Sequence, residues 1–199
     1  MTTISRRDKA DERKKQILTA AFNEFTKKGF AMTSMDDIAK KAAVSKGLIY
    51  HYFDSKESLL EALVQTHIVV LLPKHIPSFP EKGKAKDFIF NMFSTIIREA
   101  LKGDGGKLFY LIMTEGERFP KVSEMYYKTV VSPVMHKMKK LLTIAWEKGE
   151  LKNKAIIDTP QILAGPLITS LIWSKLFDRY HKLDFEVMLK NHLDNIFNN

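Results

Sequence analysis

Residues 34–53, SMDDIAKKAAVSKGLIYHYF, hold two apolar stripes at helical spacing, each about two turns long, with only three or four residues between them. Helices this short are marginal alone in water, so packing must hold both in place. Ser34 is the natural N-cap of the first, with Asp37 three positions on. Met35, Ile38, Ala39 and Ala42 form its inner stripe, and it ends near Ala43. Ser45 caps the second, which cannot run far past Phe53 because Asp54-Ser55 reads as a break and a new cap. Two short helices joined by so tight a turn have the geometry of a helix-turn-helix.

The flanks support this pair. Ile17, Leu18, Ala21, Phe22 and Phe25 predict an amphipathic helix closed by Lys27, Lys28 and Gly29, and Leu59, Leu60, Leu63 and Val64 open a longer fourth one. The proline-rich PKHIPSFPEKGK, residues 73–84, cannot carry that helix onward and reads as a linker. Beyond it the pattern predicts helices over 88–101 and 108–118, with KGDGGK (102–107) as a turn between them. A long helix follows over about 122–148, with Pro133 inside it and Gly149 closing it. DTPQ, residues 158–161, has the form of a helix start, with Asp158 as cap and Gln161 completing a box. That helix would reach Tyr180 with a kink at Gly165-Pro166, and Asp184 caps a last helix to Phe197. No alternating strand pattern occurs, so the expected fold is all-α. Residues 1–60 form a helix-turn-helix head, the fourth helix continues to about 72 as a connector, and residues 73–199 form a second helical domain.

On the third helix, successive side chains turn by about 100°. Ile49 and Phe53 share an inward face, which leaves Tyr50 and His51 pointing out, with Lys46 and Gly47 at the exposed start. Such a patch suits a DNA groove. Gly47 permits close backbone approach, Lys46 and the helix N-terminus favour phosphate, and the Tyr and His edges offer donors and apolar contact to thymine methyls. Tyr52 can serve either packing or contact. Lys56, in the first turn of the fourth helix, is placed to clamp a flanking phosphate.

Composition narrows the alternatives. There is no cysteine, hence no disulfide, thiolate nucleophile or thiolate metal site. The net charge of +9 points to an acidic partner. The charged N-terminus lacks a signal peptide's apolar run, and the longest apolar stretch, residues 162–173, is about a dozen residues where a membrane span needs about 20. A cytoplasmic protein with no membrane partner is expected. An enzyme reading finds no constellation. KGDGGK lacks the terminal Ser/Thr of a phosphate-binding loop and the strand before it, and the six histidines are dispersed. Glu115 and Glu117 face different ways on a helix. No catalytic residue, metal or cofactor is expected. A non-specific DNA-packaging protein would use the charge but leaves the helix-turn-helix without a purpose.

GFAMTSMDDIAKKAAVSKGLIYHYFDSKESLLEAL, residues 29–63, resembles the DNA-binding signature of the TetR/AcrR group of one-component transcriptional regulators almost position by position. The resemblance lies in Thr-Ser before the second helix, IA within it, VS-x-G at the turn, YxxF in the recognition helix and the SKE-x-L that follows. It implies a three-helix head and operator contacts from Ser34, Ser45, Lys46, Gly47, Tyr50, His51, Tyr52 and Lys56 on double-stranded DNA. It also implies an obligate homodimer, because two heads must enter successive major grooves about 34 Å apart. In that family the last two helices pair with their mates in a four-helix bundle. Leu167, Ile168, Leu171, Ile172, Phe185, Leu189, Leu193 and Ile196 would serve there, or in the monomer's own core.

A small-molecule effector would then bind among the C-terminal helices. Phe109, Tyr110, Met113, Tyr127, Met135, Met138 and Trp173 offer adaptable apolar surface, and Glu117 and His136 offer polar anchors. The resulting expectation is a transcriptional repressor released from its operator by a hydrophobic or aromatic ligand. The ligand would stabilise a dimer whose heads are spaced wrongly for the DNA.

Overall fold

The structure, a computed structural model, describes residues 6–68 and 83–198, the side chains of Arg6 and Arg7 excepted. In chain order its α-helices are α1 (Arg6–Lys28), α2 (Met35–Lys41), α3 (Lys46–Tyr52), α4 (Lys56–His67), α5 (Ala85–Lys102), α6 (Asp104–Glu115), α7 (Pro120–Tyr126), α8 (Ser132–Glu147), α9 (Gly165–Leu176) and α10 (Phe185–Ile196). No strand longer than a single bridge occurs among the described residues; the bridge pairs Leu151 with Phe197. The proline-rich stretch from Pro73 to Pro80, the boundary placed there and the continuation of α4 to about 72 lie outside the described residues.

Two compact units result, one holding the residues up to Ile68 together with Lys107–Tyr126, the other the remainder. In the first, Ile17, Ala21 and Phe25 of α1 pack with Ile38 of α2, Ile49 of α3 and Leu59, Leu60 and Leu63 of α4, all essentially sealed from water. Burying a side chain of this size stabilises by about 1.5–3 kcal/mol, which offsets the weak intrinsic stability of the seven-residue α2 and α3.

The α6–α7 segment closes this core. Phe119 meets Phe30 edge-on at 5.0 Å between ring centres, and Phe30 in turn touches Phe25 at 5.2 Å. Ala31 donates its N–H to Glu115 Oε1 at 3.4 Å. Gly29 is favoured there by its φ of +84°, and a Cβ at that position would also displace the same carboxylate oxygen, 2.8 Å away.

The second unit is built on α5, α8 and α10. Ile89, Phe93 and Ile97 pack against Met138, Leu142, Leu189 and Leu193. Two ion pairs align α5 antiparallel to α10, Lys86 with Asp194 and Arg98 with Glu186, each at 2.6 Å. The α7–α8 ribbon runs from Pro120 to Glu147 as the sequence predicts for 122–148, and Pro133 costs it a π-helical turn at Tyr127–Val131. Proline cannot donate to the preceding turn, so the ladder widens before it.

Two expectations are corrected. KGDGGK is not a turn, because α6 already starts at Asp104. Gly106 lies so close to the end of α5 that a Cβ would fall 2.2 Å from the Ala100 carbonyl oxygen, so close packing explains the glycine. DTPQ does not open an α-helix either. Residues 154–158 and 160–164 form two 3-10 turns, α9 begins only at Gly165 with Pro166 in its first turn, and it ends at Leu176 rather than Tyr180. The missing N–H of Pro166 is harmless at a helix start and would break a helix running through it.

Candidate nucleic-acid interface

The turn between α2 and α3 is set by backbone geometry. Ala43 adopts φ 51°, its N–H donates to the Lys40 carbonyl at 3.2 Å, and the Val44 N–H donates to the Ala39 carbonyl at 3.0 Å. These two bonds are a Schellman closure with alanine in the left-handed position. An L-residue is strained there by about 1–2 kcal/mol. Ala43→Gly is therefore expected to stabilise the head by about 0.5–1 kcal/mol after glycine's extra entropy cost. Thermal unfolding should shift up by a few degrees with DNA affinity unchanged; a lower midpoint would show that Ala43 is unstrained. Gln16 of α1 fixes the same corner by donating its amide to the Ala42 carbonyl at 2.7 Å.

The Ser45 hydroxyl accepts the Leu48 N–H at 3.2 Å, which starts α3 and leaves its own proton to be given outward. From there α3 divides as the helical spacing requires. Ile49 is wholly buried and Phe53 nearly so, while Tyr50 is 44% exposed and Lys46, Gly47 and His51 are exposed with it. A Cβ added to Gly47 would meet nothing within 4 Å, so the space above that backbone is open to a partner. Tyr52 is half-buried and carries the His51 ring edge-on at 5.3 Å. Lys46 reaches back to Asp36 at 2.8 Å, and this carboxylate raises the lysine's pKa, so the ammonium stays charged.

Two further expected contact residues are engaged inside the head. Ser34 gives both its N–H (3.0 Å) and its hydroxyl proton (2.7 Å) to Asp37, whose own N–H returns to the hydroxyl at 3.1 Å. Those bonds from Ser34 hold the Asp37 carboxyl below its usual pKa. Lys56 donates to the Phe30 carbonyl at 2.9 Å and lies 4.7 Å above the Phe30 ring, so part of its role is to hold the α1–α2 loop.

The C-terminal expectations fare differently. Leu171, Leu189, Leu193 and Ile196 are buried in the chain's own second unit, and Leu167 and Phe185 pack partly against that core. Within the protomer these residues serve the core alternative, Leu167 and Phe185 only in part, because α5 packs on the apolar side of α9 and α10. Ile168 (40%) and Ile172 (38%) remain exposed, and Leu176, Phe177 and Val187 are exposed on the same two helices or the turn after them. Of the residues expected to line a ligand site, Met138 is sealed in the core and Met113 and Tyr127 are largely exposed. Glu117 is exposed too, while Phe109, Tyr110 and Met135 are half-buried. Trp173 is committed to a local cluster, its indole N–H donating to the His181 carbonyl at 2.7 Å and its ring against Phe177. A groove of about 370 Å³ in the second unit is lined by Leu101, Ser170, Ser174, Asp178 and Lys182 among others.

Sequence reasoning did not single out Gln16, Phe30 or Phe119, and it noted Tyr126 only as half of a tyrosine pair. Burial drives the Tyr126 phenol up to about 12, so it stays protonated as a neutral donor. Its only signal in the sequence is the pairing with Tyr127.

Known proteins resemble both parts of the chain. Residues 17–63 match the bacterial regulatory proteins of the tetR family, and residues 91–181 match the C-terminal domain of AefR-like transcriptional repressors. The HTH-type transcriptional regulator UidR of Escherichia coli (strain K12) is 30% identical over 82% of this chain and 79% of its own length. Among solved structures, Salmonella enterica GusR is 25% identical with a TM-score of 0.73 over 96% of this chain and 97% of its own. A complex of SmeT with triclosan shares the fold, at 18% identity and a TM-score of 0.77 over 94% and 93%.

Proposed function

Since the chain belongs to the TetR family of DNA-binding transcriptional regulators and is not an enzyme, we propose that it is a repressor released from its operator by a small hydrophobic or aromatic ligand. The observation that carries the repressor reading is the match of residues 91–181 to a repressor's C-terminal domain. A hydrophobic ligand is favoured by the adaptable apolar side chains offered for its site, of which Phe109 and Tyr110 are half-buried. Triclosan in the SmeT complex illustrates that this fold admits a small molecule.

In this reading the residues up to about 60 read DNA in the cytoplasm, and the rest of the chain senses the ligand and dimerises. Lys46, Gly47, Tyr50 and His51 meet base edges and the adjoining backbone, while Ser34, Ser45, Tyr52 and Lys56 hold phosphates or the geometry of the helix. Two copies pair through the exposed apolar stripe of α9, and the ligand shifts the population toward a head spacing that no longer fits the operator.

The test is to recover the genomic fragments the protein retains, place a reporter behind the recovered site, and compare cells with and without the protein. Derepression of about tenfold or more in its absence, reproduced by an apolar ligand that also weakens binding in vitro, is the expected result. A reporter that falls when the protein is removed would make it an activator and overturn the proposal.

A further inference from the structure

The tetR-family match begins at residue 17, yet α1 begins at Arg6. The core of the head also begins at Ile17, while residues 8, 9 and 11–15 are exposed. About three turns of helix therefore project past the folded head with no core of their own. Their charges are sorted by face. Measured from the direction of Ile17 at about 100° per residue, Lys9, Arg13 and Lys14 fall within about 80° of it, on the side of α1 that packs against the rest of the head. Asp8, Asp11 and Glu12 fall about 120° or more away. Lys15 alone joins the acidic side.

Two contacts tie the basic side to the helix-turn-helix. The Arg13 guanidinium donates to Gln16 Oε1 at 2.9 Å, and Gln16 is the residue that holds the Ala42 carbonyl at the corner between α2 and α3. The Lys14 ammonium lies 5.9 Å from the centre of the Phe53 ring, at the end of α3. The stripe thus flanks the recognition helix from the corner before it to Phe53, the residue that caps its end. A helix kept in water only for solubility has no reason to separate its charges this way, whereas a polyanion beside α3 does.

We infer that the projecting start of α1 is a second DNA-binding element, in which Lys9, Arg13 and Lys14 seat on backbone phosphates flanking the half-site read by α3. It supplies affinity without sequence preference, because phosphates carry no base identity. The inference rests on the DNA-binding role of the family and extends the interface beyond the family's shared domain.

The test uses the full-length protein, its recovered operator and a random duplex, titrated across salt concentration. Each phosphate contact contributes a slope of about 0.9 in log affinity against log salt, so three per head in a dimer amount to about 5. Lys9→Gln, Arg13→Gln and Lys14→Gln combined should lower the slope by up to that amount. Operator and random DNA should weaken by the same factor, with helicity and ligand response unchanged. A second variant, Asp8→Asn, Asp11→Asn and Glu12→Gln, alters the opposite face and should leave the slope nearly as it was. An unchanged slope in the first variant overturns the inference, and so do equal and opposite effects of the two, which would trace to net charge alone. If the first variant loses helicity, a charge-keeping set, Lys9→Arg, Arg13→Lys and Lys14→Arg, decides: a native slope supports the inference, a lowered one overturns it. A wild-type protein that prefers no duplex would instead defeat the regulator reading itself.

Discussion

A variant carrying Ile168→Glu and Ile172→Glu is expected to sediment as a monomer and to lose operator affinity by about 100-fold or more. Both side chains lie exposed one turn apart on α9, and Leu176 continues the row a further turn on. Exposure makes the substitution harmless to the isolated protomer, so helicity and thermal unfolding should hold. In a pair of chains it would bury like charges against apolar surface without partners. Each head would then engage a half-site alone, and the gain from tethering two would vanish. Sedimentation equilibrium reads the first effect and an operator titration the second. A variant that remained dimeric would place the interface elsewhere on the second unit. The same substitution at Leu189 or Leu193 would not be informative, because those residues are sealed in the protomer and a charge there would unfold it.

The second large effect separates reading from folding within a single turn of α3. Tyr50→Ala should weaken operator binding by about 1–3 kcal/mol per half-site, and so by roughly 30-fold or more for a dimer, while the head stays folded. Ile49→Ala, one residue earlier, should cost the head about 2–5 kcal/mol of stability, because that side chain is wholly buried in the head. Circular dichroism and thermal melts sort the two. If Tyr50→Ala melts the head, or binds operator as wild type does, the assignment of faces on α3 fails.

The N-terminal helices were legible because local chemistry decides them. The Ser34, Ser45 and Ser55 caps, the Asp184 cap and the stripe of each short helix stand in the structure where the spacing puts them. The outward turn of Tyr50 and His51 followed from the same counting, since Ile49 and Phe53 had already taken the inner positions. What spacing could not decide was which apolar face meets which neighbour. Helices α9 and α10 carry more apolar residues than one face can hold, and only the position of α5 determines that Leu189 goes inward and Ile172 outward. Gly105-Gly106 misled for a related reason: a pair of glycines reads as a turn until the close passage of α5 is known. Phe119 gave no periodic signal at all, because its partner Phe30 lies in a loop far away in sequence.

That partner relation bears on how the protein comes into being. The ring of Phe119 and the carboxylate of Glu115 complete the packing around the loop between the first two helices, and both leave the ribosome well after the last residue of α4. A nascent chain halted at the end of α4 would present Phe30 to water with its cover still unmade. The cover over that loop is therefore complete only once translation has passed Phe119.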